Sequence, residues 1–323
     1  MPARYVQPLR LLIQVSFLGF MVWLGMRFYL FVDSLRSGGS VTIADRPAGI
    51  EGFLPISGLL GLTSWLKGYG FTAVHPAAVV ILLTVLALSL LLRRCFCSWI
   101  CPVAALSEWS WKAGFRIMKR NLRLPRWLDA VLRGVKYLFL IFFVWSICIA
   151  MPDGALLAFI NSDYHKLADI RLLDFFLQIS PGTLLFLMVL LAISLVVRNP
   201  FCRYLCPYGA LLGLAALLSP VHVTRDTGRC VSCGVCSQVC PTSIDVMHVK
   251  RVTSPECIGC WRCVSHCRFN EALSMKFAGR YALSGFLFAL LVVLLFWGGS
   301  QVGKASGHWV TSTGISEYRR LLK

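Results

Sequence analysis

Five predominantly apolar stretches, at 11–32, 76–92, 135–151, 182–197 and 282–297, constrain this chain more than any other feature. Inside a bilayer only protein can satisfy a backbone N–H or C=O, so about 20 such residues in a row must form a helix. Arg27 lies near one end of the first stretch, where its long stem carries the charge to the interface. That stretch is too long for a typical signal peptide and no A-x-A site follows it, so it reads as a retained anchor. With 57% hydrophobic and 14% charged residues, the 323-residue chain is neither disordered nor an ordinary soluble enzyme. The expected fold is mainly α: a polytopic helical bundle of about five transmembrane helices.

A formal charge of +18 in a soluble protein would point to nucleic acid. Here its distribution follows the spans instead. Lys and Arg number 2 before the first span, 3 in 33–74, 10 in 93–136, 2 in 152–181, 10 in 198–280 and 4 in the tail. By the positive-inside rule the N-terminus, 93–136 and 198–280 face the cytoplasm of a bacterial inner membrane, and the C-terminal tail faces the periplasm. The charge thus reports topology, and no nucleic-acid partner is expected. A further uncharged stretch, 205–221, reads as a short or re-entrant helix. As a span it would carry the basic residues that follow it across the membrane.

Fourteen cysteines are too many for chance, and their spacing separates metal from disulfides. Residues 230–240 and 257–267 both read C-x2-C-x2-C-x3-C. Two-residue spacing wraps three thiolates round one cubane, and the fourth cysteine closes the neighbouring one. Cys230, Cys233, Cys236 and Cys267 are therefore expected to hold one 4Fe-4S cluster, and Cys257, Cys260, Cys263 and Cys240 a second. Zinc and disulfides are the rival readings. Zinc prefers separate four-ligand sets, and the segment lies on the reducing side. Gly234 and Gly259 suit the tight turns such loops need. Pro241 follows the first run, but Arg268 follows the second; a positive charge there is expected to raise the potential of the cluster using Cys267.

A second constellation is an internal repeat. L-L-R-R-C-F-C-S-W-I-C-P-V-A-A-L at 91–106 aligns with V-V-R-N-P-F-C-R-Y-L-C-P-Y-G-A-L at 196–211. Cys97 and Cys101, like Cys202 and Cys206, stand at i, i+4, one face of a helical turn. Pro102 and Pro207 suit the first position of a new helix, whose positive end favours a thiolate. Paired about a pseudo-two-fold axis, the copies would give a four-thiolate site for a third iron–sulfur cluster at the membrane face. Reduced structural thiols or a different soft metal remain open for the same quartet. Cys148 reads as a small buried hydrophobe and Cys95 as a bystander thiol.

With these motifs the chain resembles the polyferredoxin, or NapH-like, group of membrane proteins, which carry two C-x3-C-P motifs and a two-cluster ferredoxin module. The resemblance covers about residues 10–275 and includes R-P-A-G-I-E-G-F-L-P-I-S-G-L at 46–59, H-P at 75–76 and C-R-Y-L-C-P-Y-G-A-L-L-G at 202–213. It implies electron transfer between the quinone pool and a redox partner, as part of a respiratory or redox complex with cytochrome or oxidoreductase subunits. It also implies two alternatives, a copper reductase or oxidase-assembly factor and a redox-sensing regulator. The last span and its external tail depart from the usual four-span plan of the group. No C-x-x-C-H haem site is present. T-S-T-G-I-S at 311–316 faintly resembles a covalent flavin attachment stretch, but reads better as a flexible tail.

The expected organisation is a membrane domain at 1–221 containing the repeat, an inserted α+β ferredoxin module at 222–275, and a final helix and tail at 276–323. Basic flanks of the module (Arg225, Arg229, Lys250, Arg251, Arg262, Arg268) would attract an acidic ferredoxin or flavodoxin, unless they only record the positive-inside bias. On the external side Glu51, His75, Asp163, Tyr164 and His165 lie among apolar neighbours, and 53–66 reads as an interfacial or re-entrant helix. Quinol oxidation releases protons, so Glu51, His75, Asp163 and Tyr164 form a candidate quinone site. The alternative is that Glu51 and His75 only cap or pair at the interface.

Overall fold

A computed structural model describes residues 5–37, 45–122, 124–269 and 272–322. Its helices are α1 (Val6–Arg36), α2 (Pro55–Leu66), α3 (Pro76–Leu92), α4 (Cys95–Trp99), α5 (Pro102–Met118), α6 (Arg126–Val144), α7 (Asp153–Ile160), α8 (Asp163–Lys166), α9 (Ala168–Leu177), α10 (Pro181–Val196), α11 (Pro207–Ala215), α12 (Val235–Gln238), α13 (Arg262–Ser265), α14 (Gly285–Ala305) and α15 (Ile315–Leu321). A three-stranded antiparallel sheet, β1 (Val221–Arg225), β2 (Leu273–Phe277) and β3 (Tyr281–Ala282), completes the fold.

The protein is mainly α with membrane helices. Among the described residues three helical stretches are long and apolar enough to cross a bilayer: α1, Trp127–Ala150 and α14. The second is α6 continued by a π-helical turn at Trp145–Ala150. Helices α9 and α10 together pass the same test but meet at 80°. Pro181 has no N–H with which to continue α9, and Ser180 accepts from Thr183 N–H to start α10 afresh. The apolar helix α3 is 17 residues long, about 26 Å at 1.5 Å per residue, a little short of a typical hydrocarbon core. Large apolar side chains such as Leu185, Phe186 and Met188 on α10 stand exposed, a surface that water would not tolerate and lipid would. The stretch 205–221 is a short helix, α11, that turns into strand β1.

The chain packs as two compact units. One contains residues 1–18, 85–140 and 187–296; the other contains 19–84, 141–186 and 297–323. Each change from one to the other falls inside an apolar helix: α1, α3, α6, α10 or α14.

In the first unit the sheet has two unlike faces. Val221 pairs with Phe277 and Val223 with Met275, while His222 pairs with Lys276 and Thr224 with Ser274 on the other side. Val221, Val223, Leu273 and Met275 are buried with Trp261, Val264, Leu88, Leu92 and Phe288, so the cysteine-rich segment shares one core with α3 and α14. In the second unit Tyr318 of α15 packs edge-on against Phe31 and joins the cluster of Leu24, Phe28, Val32, Leu167 and Ile170. The tail expected to be flexible is tied down before that helix. Ser312 N–H donates to Ala73 O (2.9 Å) and Thr311 Oγ1 to Val74 O (2.7 Å). Burial of Tyr318 explains why a Ser/Thr/Gly stretch, polar by composition, is ordered.

Candidate metal centres

The two cysteine runs of the first unit wind round two cavities. One, of about 350 Å³, is lined by Cys230, Cys233, Cys236 and Cys267 with Val231, Val235, Met247, Phe269, Ala272 and Leu273. The other, of about 380 Å³, is lined by Cys240, Cys257, Cys260 and Cys263 with Val223, Ile244, Val246, Val252, Trp261 and Met275. The fourth cysteine of each run thus faces the cavity of the other. Positive φ recurs two and four residues after the first cysteine of each loop: Ser232 (55°) and Gly234 (75°), then Gly259 (57°) and Trp261 (62°). Glycine marks one such position per loop. Ser232 and Trp261 accept the left-handed conformation without it, a cost of about 1–2 kcal/mol each that the surrounding fold must offset.

Among the described residues no three His, Cys, Asp or Glu side chains converge as one metal ion would require. A cubane binds one thiolate at each of four irons and needs a cage round a volume, the form both cavities take. The chemistry of the donors fits. Burial pushes the Cys260 thiol up to about 11 and Cys263 well above its usual range, so a thiolate there needs positive metal beside it. Cys230 differs: a hydrogen bond from Arg225 holds it below the usual thiol range. Ile244 N–H donates to Cys240 Sγ at 3.4 Å.

The C-x3-C-P pairs are built differently from the expected single helical turn. Cys97 sits on α4, but Cys101 is extended (ψ 119°) as the N-cap of α5. Cys202 lies in a π-helical turn at Phe201–Leu205, and Cys206 (ψ 106°) caps α11. Proline at the first position of each new helix forces the preceding cysteine out of the α region, so the helix must break between the two thiols. The helix start still acts on sulfur, since Gly209 N–H donates to Cys206 Sγ at 3.2 Å. All four thiols lie within electrostatic reach of one another. Burial, then Cys97, pushes Cys101 up to about 12, and Cys202 is raised by burial and by Cys101, Cys206 and Cys97.

Beside them is a third cavity, of about 370 Å³, lined by Cys97 and Cys202 and by Arg94 and Asn199, which are equivalent positions of the repeat, with Glu108, Arg203, Thr242 and Glu256. These buried charges could not be found from spacing. Arg94 reaches Glu256 (3.4 Å), which also pairs with the fully buried Lys136. Glu108 accepts from Arg10 (2.9 Å), Lys112 (2.6 Å) and Arg262 (3.4 Å). The motif helix α4 also grips the loop that begins at Cys257. Ser98 Oγ donates to Ile258 O, and Trp99 Nε1 donates to Gly259 O at 3.1 Å. Gln7 of α1 donates to Cys260 O at 3.0 Å. Cys95 is buried in the core of the same unit, and Cys148, in the other unit, contacts Thr63 Oγ1 at 3.2 Å.

The candidate quinone-site residues lie in the second unit and only some meet. Glu51 and His75 are fully buried, with His75 Nδ1 3.4 Å from Glu51 Oε1. His75 Nε2 donates to the carbonyl of His165 at 2.8 Å. Glu51 also accepts from Arg46 (2.9 Å) and from Ala78 N–H (3.1 Å), and Arg46 bridges to buried Asp169 at 2.7 Å. Arg46 and Asp169 escaped sequence reading because their partner is more than a hundred residues away. Tyr164 stands apart, 59% exposed beneath Arg171, and Asp163 opens the short helix α8. His165 donates from Nδ1 to Ile160 O (2.9 Å) and accepts at Nε2 from Ser57 (3.0 Å).

Burial, then His75, lowers His165 from 6.5 to about 4, so it is neutral at pH 7. Its contribution to stability is complete above the ordinary value and fades as pH falls from about 6.5 toward 4, because only the unfolded chain binds the proton there. Thermal unfolding of the detergent-solubilised protein should therefore weaken between pH 7 and 5, with a shallower slope in His165→Gln. Equal slopes would remove the assignment.

Caged cysteines in a multi-pass chain define an iron–sulfur electron-transfer protein of the membrane. Residues 74–125 and 179–224, which carry the two C-x3-C-P motifs, match the family model of a 4Fe-4S binding domain, and 222–268 match that of a 4Fe-4S dicluster domain. YccM of Escherichia coli K12, provisionally named an electron transport protein, is 39% identical over 96% of this chain and 88% of its own length. NirI of Paracoccus denitrificans is 29% identical over 67% of this chain and 31% of its own. The ferredoxin-type protein NapH of E. coli K12 is 26% identical over 65% of this chain and 70% of its own. The chain belongs to the NapH-like polyferredoxin family. No solved structure matches it.

Proposed function

We propose that this protein relays electrons between the quinone pool and a redox partner, as a subunit of a respiratory or redox complex in the bacterial inner membrane. In this reading the N-terminus and the cysteine-bearing segments are cytoplasmic and the C-terminal tail is periplasmic. Cys230, Cys233, Cys236 and Cys267 hold one 4Fe-4S cluster, Cys240, Cys257, Cys260 and Cys263 a second, and Cys97, Cys101, Cys202 and Cys206 a third. What supports the reading most is one observation within one unit: two cavities are each lined by four cysteines, three from one run and the fourth from the other, and a third cavity is lined by one cysteine from each C-x3-C-P motif, Cys97 and Cys202. Bound clusters supply one-electron storage at sulfur-ligated iron. The chain supplies the rest. Hydrogen bonds from Ile244 and Gly209 reach Cys240 and Cys206, and donors of this kind stabilise added negative charge on a centre. Ser98 and Trp99 hold the Cys257 loop rigidly against α4, which keeps reorganisation small.

Glu51 and His75 are the residues proposed to take up protons when a quinol is oxidised, with Arg46 fixing the carboxylate. Asp163 and Tyr164 stand nearer the surface and are proposed only as its outer approach. Iron and acid-labile sulfide on anaerobically purified protein should each approach about twelve per chain, as three cubanes require. Quinol-dependent reduction should fall at least tenfold in Glu51→Gln and His75→Ala, with reduction by dithionite unchanged. Wild-type quinol rates in both variants would eliminate the quinone site, and iron-free protein would eliminate the relay.

A further inference from the structure

The sheet's inner face walls the cysteine cavities, because Val223 and Met275 line one and Leu273 the other. Its outer face carries Thr224, Ser274 and Lys276, and beside these Arg225, Arg229 and Arg280 complete a groove of about 820 Å³. Four cations line it against a single acid, Asp226, which lies 3.6 Å from Arg229. Arg262, one of the module's basic flanking residues, lies outside this lining and turns inward onto Trp111 and Glu108.

We propose that this groove is the docking surface for an acidic one-electron carrier protein, which deepens the relay reading and rests on it. Position is the first reason. Arg225 lines the groove and acts on Cys230, and Cys233 of the same set is exposed, whereas Cys260 is buried and Cys202 only half-buried. The groove therefore adjoins the most accessible of the cysteine sets. Charge is the second, since a basic groove speeds encounter with an acidic partner and fixes its orientation. Lipid headgroups are the competing occupant, and register argues against them. Lys276 and Arg280 lie close in sequence to the start of α14 at Gly285. Arg225 closes the opposite end of β1, roughly 13 Å further along the strand at about 3.3 Å per residue. Headgroups at the base of α14 would meet the near end alone, but a protein can cover both. In such an encounter one electron leaves the carrier and enters the cysteine-held centre, or the reverse, and no proton or bond is exchanged.

The test uses full-length, cluster-loaded protein in neutral phosphatidylcholine nanodiscs with a reduced acidic ferredoxin as the probe, followed by stopped flow. Arg229→Glu and the double variant Lys276→Glu/Arg280→Glu should each lower the bimolecular rate at low salt at least tenfold. Raising salt should slow the wild type and leave the triple variant Arg229→Glu/Lys276→Glu/Arg280→Glu nearly unchanged. Iron content and reduction by photoreduced deazaflavin should stay at wild-type levels throughout, which separates lost docking from lost folding. Wild-type rates in both variants overturn the proposal. So does an effect confined to Lys276→Glu/Arg280→Glu and matched by lost binding to phosphatidylglycerol vesicles, which would make the groove a lipid contact. A wild type that holds iron and accepts electrons from deazaflavin but never from the ferredoxin overturns the docking surface and leaves the relay standing. Iron-free wild type overturns both.

Discussion

Replacing Cys240 with alanine is expected to remove the centre proposed for Cys257, Cys260 and Cys263, although Cys240 belongs by sequence to the other run. The reason is the wall of the cavity. Apart from its four cysteines the lining holds no thiol, imidazole or carboxylate: Thr242 and the donor-only indole of Trp261 are its polar side chains, so no nearby group matches the missing thiolate. Pairing variants makes the expectation sharp. Cys240→Ala/Cys257→Ala should lose about four irons, no more than either single change, because both thiols serve one centre. Cys236→Ala/Cys240→Ala should lose about eight, because neighbours in one run serve two. Cys267→Ala should behave as a member of the Cys230 set. The measurement is iron and sulfide per chain with EPR of the reduced protein. Losses that follow the order of the chain rather than the crossed pairing would refute the ligand sets.

What could be read from sequence follows the range of the interactions. The apolar helices and the loop spacings are local: α3 runs over the predicted residues, and Cys240 and Cys267 each line the cavity of the other run. The ends of the spans are less local. Helix α14 extends to Ala305, past the expected limit at 297, because Trp297 and the small residues beyond it continue a helix that hydropathy alone cuts short. Ion pairs between distant segments leave no trace in spacing. Arg46 with Asp169, and Arg94 and Lys136 with Glu256, look like ordinary loop or flanking charges until the chain closes. Two left-handed positions, Ser232 and Trp261, were hidden because the fold, not the residue type, imposes them. The C-x3-C-P pairs carried two expectations that cannot both hold in full, a shared helical turn and a proline starting a new helix, and the proline prevails.

Glu108→Gln should be among the most destabilising single substitutions in the first unit. The side chain keeps its shape and loses its charge, leaving Arg10, 2% exposed, and Arg262, 14% exposed, facing a neutral amide with Lys112 nearby. Removing one partner of a buried pair typically costs about 3–5 kcal/mol, because the remaining charge keeps its desolvation penalty. For a chain of this size that corresponds to a fall in melting temperature on the order of 10 °C. The acid response carries the same signature. Burial by itself would raise the Glu108 carboxyl, but the charges and hydrogen bonds of Arg10 and Lys112 bring it down to about 2. Its contribution is therefore complete above the ordinary carboxylate range and lost as pH falls from about 4.5 toward 2. Wild type should lose helical structure, followed by circular dichroism, across that window, and Glu108→Gln should start lower and change less. Because Arg10 and Glu108 depend on each other, Arg10→Met/Glu108→Leu should recover much of the loss, as apolar replacement of a buried pair often does. A Glu108→Gln protein that melts with the wild type, or a double variant no better than the single, would mean that the network is solvated and carries little of the fold.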